Sequence, residues 1–197
     1  MNSNTRKITF SAICIVVNIV FGTFVSMLNI PFLFLDTVGT VLGAIILGPF
    51  WGMLIGGGTN LVLGVTTSPT NIPFALVNMA VGLIVGYVAR KKKFGYKEAI
   101  ITGIILAFVC PLIGTPIAVL MFGGLSGSGA DLLVGMLLQS GQEIFTAAFI
   151  PRILSNMVDK PVSCMMVVLF ISKMPKSFLA QFKDKAEMKK VSANTEA

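Results

Sequence analysis

Six ionisable residues stand apart from the basic flanks of this chain: Asp36, Asp131, Glu143, Arg152, Asp159 and Lys160. Each lies in or beside a long apolar stretch, where a charge at a helix centre costs about 2.5–3.5 kcal/mol on insertion scales. Asn156 and Lys160 are spaced i, i+4, so on a helix an amide and an ammonium share one face. Asp159 is adjacent and is expected to point about 100° away. Lys160 then needs an anionic or polar partner. Glu143, Asp131 and Asp36 are the candidates within the protein, and a bound ligand is the alternative. Asp36 reads as a cap for the helix that follows it, and Arg152 as a snorkelling interfacial residue. Asn18, Asn60, Asn71 and Asn78 add amides suited to hydrogen bonds between helices.

Other chemistry is excluded by what the sequence lacks. Without histidine there is no imidazole base and no imidazole metal ligand. Paired carboxylates and a nucleophile with its base are also missing, so no catalytic residue, metal or cofactor is expected, and the chain does not read as an enzyme. Cys14, Cys110 and Cys164 are odd in number and set in apolar stretches, which suits buried inert thiols better than disulfides. No Gly-x-x-x-x-Gly-Lys-Ser/Thr loop occurs, so the chain cannot itself use ATP.

Positioning the six ionisable residues requires a membrane bundle. Of 197 residues, 55% are hydrophobic and 12% charged, about half the charged share of a soluble domain. Residues 8–35, 37–89 and 99–130 carry no charge at all, and such runs read as membrane spans. The expected fold is an all-α, six-helix transmembrane bundle over residues 1–176 with both termini cytoplasmic. A polar tail over 177–197 is expected to be disordered. Spans are placed at 8–27, 32–47, 49–65, 72–89 and 99–122, with the last crossing at 131–150 or 152–172. Asn29, Pro31 and Asp36 mark an outer interruption, Gly48-Pro49 a hinge, and 123–129 an outer glycine-rich turn.

Orientation follows from charge. Arg6-Lys7 and the basic loop over 90–97 both favour the cytoplasm, and four crossings between them satisfy that. Trp51, Tyr87 and Tyr96 then fall together at the inner interface, where aromatic belts sit. The net charge of +7 belongs to these membrane flanks, so lipid is expected as a partner and nucleic acid is not. Glycines four apart (Gly39 and Gly43; Gly48, Gly52 and Gly56; Gly82 and Gly86) allow close helix approach, within the bundle or against another subunit.

The run Phe34-Leu35-Asp36-Thr37-Val38-Gly39-Thr40, followed by Leu47-Gly48-Pro49-Phe50-Trp51-Gly52, resembles the substrate-binding (S) subunits of energy-coupling factor (ECF) vitamin transporters. So do Pro73-Phe74-Ala75 with Asn78 and Gly82, and the 156–160 segment followed by Lys173-Met174-Pro175. The likeness covers roughly residues 8–176. It implies capture of a vitamin or related micronutrient near the outer face of a bacterial plasma membrane. It also implies a transmembrane coupling subunit and two ATPase subunits as partners. In riboflavin-type members an asparagine and a lysine of the last helix contact the ligand. Asn156 and Lys160 match them here, which favours 152–172 as the last crossing. The loop before the second span contributes too, giving Phe34, Leu35 and Asp36, so the substrate-binding set is Asn156, Lys160, Asp159, Asp36, Leu35 and Asn78.

Family members dock the coupling subunit through an alanine-x-x-x-alanine pattern on the first helix. Here Ala12 is followed four later by Val16, so the docking face at Ser11, Ala12 and Val16 is matched in part. Two other classes compete: a membrane sensor or receptor module, and a proton-coupled small-molecule transporter. Lys160 and Arg152 would suit an anionic or carbonyl-rich ligand, and the 15 phenylalanines a planar ring.

Overall fold

Where proline and glycine permit, the apolar runs become helices. The structure, a computed structural model describing residues 3–28, 30, 32–125 and 131–182, contains no strand among them. Its helices are α1 (Ser3–Met27), α2 (Val38–Leu47), α3 (Pro49–Thr66), α4 (Ala75–Lys91), α5 (Tyr96–Phe122), α6 (Asp131–Gln139), α7 (Ile144–Lys173) and α8 (Lys176–Ala180), with a 3₁₀ turn at Pro69–Asn71. Asn4–Met27, Tyr96–Phe122 and Ile144–Lys173 are long and apolar enough to cross a membrane by length and composition.

Helix α2 is the core of the bundle. Eight of its ten residues are buried, and it packs against α1, α3, α4 and α7. The break after it comes where expected: Gly48 takes φ 97°, and Pro49 opens α3 at its first position, where a missing N–H costs nothing. Two bodies of packing flank α2, with α3 lying along α4 and α5 along α7.

Glycine makes the first of these possible. A Cβ at Gly52 or Gly82 would run into the other helix's backbone, one at Gly56 into Asn78, and one at Gly86 into Pro49. The spaced glycines are therefore consumed inside the bundle, and a partner cannot use the faces they occupy.

Three expected boundaries need correction. The second span, 32–47, is helical only from Val38, and ten residues reach about 15 Å, half a bilayer core. Residues 131–150 are not one helix. Gly141 at φ 85° ends α6, with Gln142 N–H donating to Leu137 O and Gly141 N–H to Leu138 O, the paired bonds of a Schellman stop. Helix α7 starts at Ile144 and contains all of 152–172. Finally, residues 177–182 of the expected tail are packed: Phe178 and Phe182 meet Phe10 of α1 at ring-centroid distances of 6.0 and 4.9 Å. Asn29, Pro31, most of the 123–129 turn and the rest of the tail lie outside the described residues.

Candidate functional site

The loop before α2 brings the charged residues together. Because α2 is short, residues 32–37 run as non-helical backbone inside the bundle. Backbone of that kind is tolerated at membrane depth only when its polar groups are paired within protein or line a cavity. Phe32 and Leu35 also adopt left-handed conformations, φ 62° and 51°, which cost a non-glycine residue about 1–3 kcal/mol unless the surroundings hold it.

Asp159 supplies the hold on Leu35. Its carboxylate is fully buried on α7, and Oδ1 accepts the N–H groups of both Phe34 and Leu35 at 2.8 Å. The other oxygen, Oδ2, accepts from Lys160 Nζ at 2.7 Å. Lys160, 5% exposed, reaches onward to Thr37 Oγ1 at 3.3 Å and Asp36 Oδ1 at 3.4 Å. One ammonium thus bridges α7 to the loop, and one carboxylate closes the loop's backbone. The cluster contains two acids and one base, so it is net negative, and Asp36 is its exposed member with 42% of its side chain open.

This geometry corrects two expectations. Asp159 does not point away from Lys160: the four-carbon lysine stem swings back to its sequence neighbour. Asp36 does not cap α2. The N-cap position is Thr37, which makes no side-chain capping bond. Capping comes from another helix instead. Asn18 of α1 accepts from the N–H groups of Gly39 (2.6 Å) and Thr40 (3.1 Å) through Oδ1, and its amide donates to Thr40 Oγ1 and Thr59 Oγ1, both at 2.8 Å. Gly39 permits this, since a Cβ there would collide with the Cys14 carbonyl.

Apart from Leu35, whose backbone N–H donates to Asp159, the remaining candidates make their hydrogen bonds elsewhere. Asn156 is half-buried and donates to Arg152 O at 2.7 Å, one turn back on its own helix. Asn78 donates to Asn60 Oδ1, and Asn60 in turn to Asn71 O at 3.0 Å. That chain ties α4, α3 and the 3₁₀ turn. Leu35 is buried in the apolar core. Arg152 is 8% exposed and does not snorkel. It donates to Ala148 O at 2.7 Å and to Gly124 O at 3.1 Å, fastening the end of α5 to α7.

On α1, Ser11 is buried and bonded to Lys7 O at 2.8 Å, while Ala12 and Val16 face outward with Val20 and Phe24. Among the described residues no group of three His, Cys, Asp or Glu converges as metal ligands. The sequence marks Asn18 and Asp159 as polar, but nothing in it names the backbone groups they serve.

No curated protein and no solved structure matches the chain. The family model for the substrate-specific component of ECF transporters matches residues 6–171, nearly all of the helical body just described. The chain therefore belongs to the substrate-specific components of ECF transporters, a family of membrane transport proteins.

Proposed function

We propose that this protein captures a vitamin or related micronutrient at the outer face of a bacterial plasma membrane. It hands the ligand inward when a transmembrane coupling subunit and two ATPase subunits hydrolyse ATP. In this reading six segments cross the membrane, the middle ones short and hinged, with both termini cytoplasmic. The face of α1 bearing Ala12 and Val16 is the docking surface for the coupling subunit.

The observation that carries the proposal is the ion cluster of Asp36, Asp159 and Lys160, which holds non-helical backbone inside an apolar bundle. Charges so costly to bury are kept where they line a pathway or meet a ligand. With Lys160 already bonded to two carboxylates, the site offers a ligand the open side of Asp36 and the exposed edges of the loop. Asn156 sits one turn back from Lys160, and a ligand that drew its amide from Arg152 O would bridge α7 to the loop.

Mass spectrometry of small molecules released from mildly solubilised protein tests this directly, with a stoichiometric heterocycle expected. Asn156→Ala removes a bond confined to its own helix, so it is the cleaner variant. It should lower ligand retention about tenfold while leaving the unfolding temperature nearly unchanged. Undiminished retention in Asn156→Ala would remove that residue from the site. Persistent failure to bind any vitamin would remove the proposal.

A further inference from the structure

At the end of the bundle opposite the 3₁₀ turn, α4 and α5 part to leave a groove of about 300 Å³, at the lower end of the range for ligand pockets, roughly 300–1,000 Å³. Its rim is basic: Lys91, Lys92 and Lys97 line it against one acid, Glu98. Glu98 is engaged at the helix start, where its Oε2 accepts from Gly95 N–H at 3.2 Å. Lys91 is steadied beside the groove by the Tyr87 ring, its ammonium 4.4 Å from the centroid. Below the lysines the wall turns apolar at Val88, Ile101 and Ile105. Ile101 and Ile105 are 49% and 44% exposed, so the groove opens sideways toward hydrocarbon. From Lys97 to Ile105 the wall runs about 12 Å along α5.

A charged mouth above an apolar, laterally open wall has the shape of one amphiphile. We propose that this groove binds an anionic phospholipid, its phosphate among Lys91, Lys92 and Lys97 and the start of its acyl chain against Ile101 and Ile105. A soluble phosphate would satisfy the lysines but leave the apolar wall empty. A zwitterionic lipid would fill the wall but bring a quaternary ammonium to three cations. Basic pockets between helices at a cytoplasmic interface select anionic headgroups for the same reason. That this end faces the cytoplasm rests on the orientation proposed above, whereas the lipid preference does not, because it is measurable in detergent.

Native mass spectrometry of the purified full-length chain is the test, with phosphatidylglycerol and phosphatidylcholine of matched acyl chains as probes. Wild-type protein should retain phosphatidylglycerol about tenfold better, and Lys91→Gln/Lys92→Gln/Lys97→Gln should abolish that preference. Arg6→Gln/Lys7→Gln/Lys173→Gln, removing the same charge elsewhere, should keep it. Ile101→Ser/Ile105→Ser should weaken both lipids together. Equal retention of the two lipids in wild type overturns the proposal, as does loss of preference in the Arg6 control. Displacement of the lipid by glycerol 1-phosphate at comparable concentration also overturns it, in favour of a free phosphate ligand. Should the triple variant not fold, Lys92→Gln and Lys97→Gln singly must each lower the preference. Orientation is read separately, by labelling Lys93→Cys from either side of sealed vesicles.

Discussion

Asp159 accepts three hydrogen bonds while fully buried, and among the described residues Lys160 is its only charged partner at short range. Removing one member of such a pair costs about 3–5 kcal/mol, because the other charge is left buried. Lys160→Ala should therefore lower thermal stability in detergent as well as ligand binding, and Asp159→Asn should do the same. Asp36 is different, lying 3.4 Å from Lys160 with its side chain 42% exposed. A double-mutant cycle should give a large coupling for Lys160 with Asp159 and only about 0–1 kcal/mol for Lys160 with Asp36. Equal couplings would mean that Asp36 anchors the ammonium as firmly as Asp159 does. The net charge of the cluster also bears on the substrate. Two carboxylates against one ammonium favour a neutral or cationic ligand over the anionic one that Lys160 alone suggests.

Helices α1, α2 and α3 meet at a single amide. Asn18 caps α2 in place of the missing Thr37 cap and bonds one threonine on α2 and one on α3. Asn18→Leu should cost about 2–4 kcal/mol, since it strands the N–H groups of Gly39 and Thr40 and removes the amide donor from two threonine hydroxyls. Where α3 crosses α4, Gly52→Val should push the backbones apart at Gly82 and cost about 1–3 kcal/mol. Chemical denaturation in mixed micelles checks both. Much of this level was legible in the sequence. The apolar runs gave the helices, Gly48-Pro49 the hinge, and the asparagines and spaced glycines announced close contacts. Other boundaries were hidden because they depend on tertiary pairing. Residues 32–37 look apolar enough for a helix, yet Asp159 stabilises a non-helical, partly left-handed path that no local pattern announces. The stop at Gly141 was readable in the polar run Gln139-Ser140-Gly141-Gln142-Glu143, but the apolar stretches on either side of that run suggested one continuous span. Phe178 and Phe182 were lost in a basic segment whose charge suggested solvent.

At the scale of the whole molecule, burial separates the protein's own chemistry from its surroundings. Cys14, Cys110 and Cys164 are all buried, so a folded sample should resist maleimide until denatured. That makes the native chain a quiet background for engineered cysteines. In sealed vesicles Lys93→Cys should label from the cytoplasmic side only and Leu125→Cys from the other side only. Labelling of both from one side would refute the proposed orientation. The fastening of the α2 entry loop has a consequence for biosynthesis. The Phe34 amide and its acceptor on Asp159 are 125 residues apart, roughly 6–25 s of synthesis at about 5–20 residues per second. During that interval α1 to α5 have left the ribosome while the loop has no latch, and its strained backbone is open to proteases and quality control. A nascent chain arrested before α7 should be cut within 32–37, and one arrested after Lys173 should be protected there. Helix α7 thus acts as a checkpoint on whether the earlier part of the chain survives.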